Sequence, residues 1–187
     1  DPYVRGARAA GFRSRAAYKL LELDARDRLL RPGAQVLDLG AAPGGWSQVA
    51  ATAVGPSGRV LAVDRLDMAP VPGVEFICGD FADDAVRTDL LARLGGGADL
   101  VLSDMAPNLS GIRDVDEAAW LELALLALEV ARGVLKQNGA LVVKAFQGRA
   151  AQDFAVALRQ AGLATRVRKP PASRDESREL YYVARGG

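Results

Sequence analysis

Hydrophobic residues fall along this chain in short runs separated by longer amphipathic stretches. Val36-Leu-Asp-Leu39, Arg59-Val-Leu-Ala-Val63, Val74-Glu-Phe-Ile-Cys78, Leu100-Val-Leu-Ser103 and Ala140-Leu-Val-Val143 are the short runs. Apolar runs of this length, bounded by Gly, Pro, Asp or Asn, read as strands buried on both faces. Between them lie helical patterns. Ser14 is placed to cap a helix to about Leu30, with Ala17, Leu20, Leu21 and Leu23 on its apolar side and Pro32-Gly33 as its stop. Further helices are expected from Trp46, from Asp83 or Asp84 to about Leu94, from Asp116 to Leu135, and from Ala151 to Ala161. Lys136-Gln-Asn-Gly139 reads as a turn, and residues 1–13 as polar and partly extended. The last two strands, about Ala164–Arg168 and Glu179–Ala184, have no helix between them, which predicts an antiparallel pair. The pattern is that of one α/β domain over residues 1–187. Its seven strands form a doubly wound, mostly parallel sheet, with the last strand antiparallel and helices on both faces.

The turn after the first run narrows the ligand. Asp38-Leu-Gly-Ala-Ala-Pro-Gly-Gly-Trp46 leads from strand to helix. Small residues there let a ligand approach the backbone, and the helix start offers free N–H groups. A dinucleotide turn would read G-x-G-x-x-G, but Gly40 is followed by Ala, Ala and Pro before Gly44. A phosphate loop would read G-x-x-x-x-G-K-[ST]; Gly40, Gly45 and Ser47 fit, but Trp46 stands at the lysine. Without that charge a triphosphate is poorly held. A nucleoside-like cofactor lacking phosphates, such as S-adenosylmethionine, remains.

Composition removes other chemistries. The chain of 187 residues contains no histidine, which excludes a Ser-His-Asp triad, His-based zinc sites and the commonest general base. Its single cysteine, Cys78, permits no internal disulfide and no cysteine metal cluster, so no metal is expected. Cys78 reads as a buried strand position, and the lone thiol fits a reducing cytoplasm. No apolar run approaches the ~20 residues of a membrane span, and no signal peptide is legible. The formal charge of +1 is unevenly spread: residues 1–19 carry a net +4 and residues 165–187 a net +3, around an acidic middle. Two basic ends suggest a polyanion footprint if they meet in space.

Polar residues recur at the ends of the apolar runs. Asp38, Asp64, Asp80, Asp104 and Lys144 lie there, on the edge where α/β sheets bind ligands. Asp64 follows the glycine turn at about the separation where an acidic residue grips a ribose hydroxyl. Asp80 is suited to accept from an adenine amino group.

At this point the chain resembles a known family. Asp38–Trp46, Ser103-Asp-Met-Ala-Pro-Asn108, Val142-Val-Lys144 and Ser177-Arg-Glu179, with Asp1-Pro-Tyr-Val and Phe12-Arg-Ser-Arg-Ala-Ala-Tyr-Lys-Leu20, are similar to the FtsJ/RrmJ group of RNA ribose 2′-O-methyltransferases. The likeness covers nearly the whole chain and is strongest to bacterial heat-shock enzymes that methylate a uridine in the A loop of 23S rRNA. It implies a methyltransferase fold and a catalytic tetrad at Lys19, Asp104, Lys144 and Glu179. It implies S-adenosylmethionine contacts at Gly44, Trp46, Asp64, Asp80 and Asp104, within a motif that also holds Asp38 and Gly40. Large-subunit rRNA is the implied partner and a monomer the simplest form. A tRNA or cap methyltransferase, or a non-catalytic RNA-binding module, are the alternatives.

A ribose 2′-OH must lose its proton as it attacks a sulfonium methyl. With no histidine, Lys144 is the expected base, and a second cation, Lys19, would favour its neutral form. Asp104 is expected to hold the amine and methyl donor in line, and Glu179 to orient Lys19 or the ribose. If these four residues meet, Arg13, Arg15, Arg174 and Arg178 flank the site and bind RNA phosphates.

Overall fold

The computed structural model describes residues 1–187. Seven strands form one sheet: β1 (Gln35–Leu39), β2 (Arg59–Asp64), β3 (Val74–Cys78), β4 (Ala98–Ser103), β5 (Leu135–Phe146), β6 (Leu163–Arg168) and β7 (Glu179–Gly186). Their order is β3-β2-β1-β4-β5-β7-β6. β7 runs antiparallel to both β5 and β6, and the remaining pairs are parallel. The order reverses between β1 and β4, so a crevice opens beyond their carboxyl ends.

The helices are α1 (Pro2–Ala9), α2 (Ala16–Asp27), α3 (Gly45–Val54), α4 (Asp84–Leu94), α5 (Arg113–Val134) and α6 (Arg149–Gln160). They divide between the faces. α2 and α3 cover one, where Leu20, Leu23, Trp46 and Val49 pack on Val36, Val60, Leu100, Leu102 and Val142. α4, α5 and α6 cover the other, where Leu90, Trp120, Ala127 and Phe154 pack on Leu37, Leu61, Val101 and Leu141. Each fully buried side chain of this kind contributes about 1.5–3 kcal/mol. The alternation of the two clusters along every central strand follows from the two-residue side-chain period. No helix is long and apolar enough to cross a membrane.

The structure corrects four local expectations. Residues 1–13 are largely helical rather than extended: the Asp1 carboxylate accepts from Tyr3 N at 2.9 Å, and Pro2 is set at the first helical position. Tyr18 of α2 then receives Tyr3 and Phe12 edge-on, at ring separations of 5.6 and 5.8 Å. Ser14 does not cap α2 with its side chain; Ala17 N donates to the Ser14 carbonyl, and Arg15 occupies the cap. Lys136–Gly139 belongs to β5, which passes through an irregularity where Asn138 adopts φ 64°. Cys78 is exposed, because β3 is an edge strand and Cys78 is its last residue.

Candidate active site

The sheet's two-residue period delivers the site. Asp38 shares a strand face with Val36, Lys144 with Val142, and Asp104 follows Leu102 and Leu100 in the same phase. All three project toward the α2/α3 side at the carboxyl ends of β1, β4 and β5. β7 begins at that same end because it runs the other way. Its register sets Tyr181 beside Lys144 and Glu179 beside Phe146. Glu179 and Tyr181, two apart, therefore face the same side as Lys144. Lys19 arrives from α2, whose buried Ala17, Leu20 and Leu23 anchor it to the sheet.

The four residues form one cluster. Lys19 Nζ donates to Glu179 Oε1 at 2.6 Å. Lys144 Nζ lies 3.3 Å from Asp104 Oδ1 and 3.8 Å from Glu179 Oε2. Tyr181 Oη donates to Asp104 Oδ1 at 2.6 Å and stands 3.2 Å from Glu179 Oε1, which also accepts from Ser173 Oγ at 3.0 Å. Tyr181 is fully buried, and its ring packs 5.6 Å from that of Trp46.

The two carboxyls differ in electrostatics. Burial pushes the Asp104 pKa above the usual carboxylate value; Lys144, the Tyr181 hydroxyl and Lys19 oppose it without reversing it. Burial also works against ionised Glu179, but the Lys19 hydrogen bond, the charges of Lys144 and Lys19, and Ser173 outweigh it, so its pKa falls. Burial and the two adjacent carboxylates raise the Tyr181 phenol well above its ordinary value, so it stays a donor. The site thus sets a carboxyl whose ionised form is favoured, Glu179, beside one whose ionised form is disfavoured, Asp104.

The glycine turn lies next to this cluster. Gly40 adopts φ 69°, and a Cβ there would come within 2.7 Å of Met105 Sδ. Gly44 adopts φ 114° and caps α3, so the first N–H groups of α3 have no partner within their helix. Asp64 braces the turn: its Oδ2 accepts from Ala42 N and its Oδ1 from Leu66 N, both at 2.9 Å. Asp80 closes its own turn by accepting from Ala82 N at 2.9 Å. Each of these carboxylates keeps acceptor capacity for a ligand hydroxyl or amine. Asp38 is buried, bonded to Ser47 Oγ at 2.7 Å, and pushed up to about 7 by burial and by the nearby Asp104 and Asp64 charges. The Trp46 side chain lies in the core with Nε1 donating to the Ala16 carbonyl at 2.7 Å, so only its backbone remains for a ligand. A side-chain-free turn, free helical N–H groups and acceptor carboxylates without a phosphate-binding lysine fit a nucleoside cofactor lacking phosphates.

The four arginines are not equivalent. Arg13 is consumed structurally: its guanidinium donates to the carbonyls of Pro43, Ala69 and Pro70 at 3.1, 2.5 and 2.5 Å. Arg178 donates to Glu117 and to the Gln147 carbonyl. Arg15 donates to Asp1 and, at 2.6 Å, to the Ala172 carbonyl. Arg174 is 64% exposed, with only Asp1 at 3.6 Å. Arg15 and Arg174 line a cavity of about 360 Å³ together with Lys19, Glu176, Ser177 and Glu179.

Residues 12–187 match the FtsJ-like methyltransferase family. The chain belongs to that family. A protein of Azoarcus sp. (strain BH72) named ribosomal RNA large subunit methyltransferase E is 58% identical over 184 residues, spanning 98% of this chain and 90% of that one. Its namesake in Marinobacter nauticus is 50% identical across 100% of this chain and 90% of its own. Among solved structures, a Plasmodium falciparum protein described as a ribosomal RNA methyltransferase superposes with TM-score 0.80 at 28% identity, covering 94% of this chain and 98% of that one. Aeropyrum pernix fibrillarin, solved with bound S-adenosyl-L-methionine, has TM-score 0.65 at 20% identity over 92% of this chain and 74% of its own, a likeness of fold. Neither Tyr181 nor Ser173 of this methyltransferase is among the site residues expected from the sequence. The two-residue step from Glu179 to Tyr181 on a strand was the available signal.

Proposed function

We propose that this methyltransferase transfers a methyl group from S-adenosylmethionine to a ribose 2′-hydroxyl of large-subunit rRNA, at a uridine of the A loop. The observation that carries this is the cluster of Lys19, Asp104, Lys144 and Glu179, set between a glycine turn and a basic cavity. The cofactor supplies an electrophilic methyl on a sulfonium. The chain supplies the rest. Asp64, Asp80, Gly40, Gly44 and the backbone around Trp46 hold the nucleoside part. Lys144 accepts the 2′-OH proton as the O–CH₃ bond forms and the S–CH₃ bond breaks. Burial disfavours the ionised form of Asp104, which weakens the carboxylate's opposition to loss of a proton from Lys144, 3.3 Å away. Such groups titrate as a unit, so the rate–pH profile belongs to the cluster. The Lys19–Glu179 pair holds the ribose and keeps a positive charge near Lys144. Arg15 and Arg174 take phosphates at the mouth, with Arg13 and Arg178 fixing the walls. All four tetrad side chains come from one chain, so the tetrad needs no second copy; the proposed form is a monomer acting in the cytoplasm on rRNA or the assembled large subunit.

The test is transfer of labelled methyl from S-adenosylmethionine to large-subunit particles lacking the modification, followed by nuclease digestion. Label on a 23S uridine ribose is expected; label confined to tRNA, capped RNA or a base refutes the assignment. Lys144→Arg should lose about 10²–10⁴-fold in single-turnover rate while binding cofactor, because a guanidinium cannot accept the proton. Near-normal turnover in that variant would remove Lys144 as the base.

A further inference from the structure

A second basic site lies away from the catalytic edge. The β6–β7 register pairs Ala164 with Arg185, Arg166 with Val183 and Arg168 with Tyr181. Arg166, Arg168 and Arg185 therefore share the sheet face on which Tyr181 and Val183 pack under α2. The end of α2 brings Arg26 and Arg28 to the same place. Arg26, Arg28, Arg166 and Arg185, together with Asp27, line a cavity of about 340 Å³. Asp27 is its only carboxylate, and Arg168 grips both of its oxygens at 2.9 Å. Arg185 donates to the Asp27 carbonyl. Arg26, Arg28 and Arg166 are exposed and form no ion pair or side-chain hydrogen bond within the chain. Arg28 also stands at φ 51°, where a helix end usually places glycine. Three unpaired guanidiniums around a concave surface have the chemistry of a phosphate-binding site.

We propose that this cavity binds backbone phosphates of the RNA strand a few nucleotides from the methylated ribose. The inference rests on RNA being the substrate. Arg26 is seven residues from Lys19, so it lies on the same face of α2, about 10 Å farther along the helix. Arg15 and Lys19 at the catalytic mouth, Arg26, and then Arg28 and Arg166 follow one another as a basic track, interrupted by Glu22, whose carboxylate accepts from Ala172 N at 2.7 Å. A polyanionic strand fits a track of that length better than a single small anion does.

The triple variant Arg26→Gln, Arg28→Gln, Arg166→Gln tests this by equilibrium binding. The two probes are a transcript of large-subunit rRNA and a short oligonucleotide, a trinucleotide centred on the target uridine that ends before this cavity. On the transcript, affinity should fall and the log–log salt slope should flatten by roughly 0.7–0.9 per lost phosphate contact. On the short oligonucleotide, binding and methylation should match the native chain, which also shows that the variant folds. Binding is read without turnover, so failure to find the methylated ribose would count against the function while leaving this result intact. As a measurement on the unaltered chain, arginine modification by phenylglyoxal, mapped by mass spectrometry, should be blocked at Arg26, Arg28 and Arg166 by the transcript. An unchanged salt slope, or equal modification with and without RNA, overturns the proposal and leaves these arginines as charges that keep the β6 edge from pairing.

Discussion

Asp38 offers the most direct test of the site's electrostatics. Its carboxyl is buried against Ser47, with no cation beside it, and its pKa is pushed from 3.8 up to about 7. A carboxyl raised in the folded state holds its proton longer folded than unfolded. Stability is therefore favoured below the unfolded value, and is lost as pH rises from about 4 to about 7. A shift of this size corresponds to about 4 kcal/mol once the group is fully ionised. Asp38→Asn removes that penalty but brings a buried N–H₂ without a partner, which costs about 1–3 kcal/mol. The variant should be more stable than the native chain by about 1–3 kcal/mol above about pH 8, and less stable by a similar amount below about pH 4. Urea unfolding of both chains at a series of pH values measures the difference. A difference that stays constant across that range would mean that Asp38 titrates normally and that the burial argument is wrong.

Two further perturbations follow from contacts in the site. Tyr181→Phe removes the donor at 2.6 Å from Asp104, so the Asp104 carboxyl should rise further and the acid limb of the single-turnover rate–pH profile should move to higher pH. The accompanying loss of about 1.5–3 kcal/mol in unfolding free energy is expected for a bond to a charged group, and an unmoved profile would reduce Tyr181 to packing. Gly40→Ala forces a side chain against Met105 at a positive φ, which should cost about 1–3 kcal/mol in guanidinium unfolding and weaken cofactor binding in calorimetry. Adding Met105→Ala should restore part of the stability, since the clash is with that side chain; strict additivity would show that the backbone angle alone sets the cost.

Much of this architecture is legible in the chain because buried parallel strands must be apolar on both faces. Leu37, Leu61, Val101 and Leu141 pack on one side, and Val36, Val60, Leu100 and Val142 on the other. Polar residues interrupting such strands stand out, which is why Asp38, Asp104 and Lys144 could be placed on one edge. The missed parts have a different origin. α1 has no run of apolar residues; its signal is the Asp1 cap and Pro2, and tertiary contacts with Tyr18 complete it. Cys78 looked buried because an edge strand carries the same β-forming residues as a central one. For Arg13 a sequence shows the charge, but not the three carbonyls to which its guanidinium donates. Tyr181 could be joined to Asp104 only once β7 was known to run against β5.

The position of β7 also orders events in time. It lies between β5 and β6, yet it is the last strand along the chain. While the protein is being synthesised, β6 emerges with no neighbour to pair with, since its hydrogen bonds go to β7 alone. Lys144 is already in place on β5, but Glu179, and with it the anchor for Lys19, arrives only when the final strand slides into the gap. The Lys19–Glu179 contact spans 160 residues, and contacts across so much chain are slow to form. A nascent chain thus carries the glycine turn and the base before it carries a working site, and chemistry waits for β7.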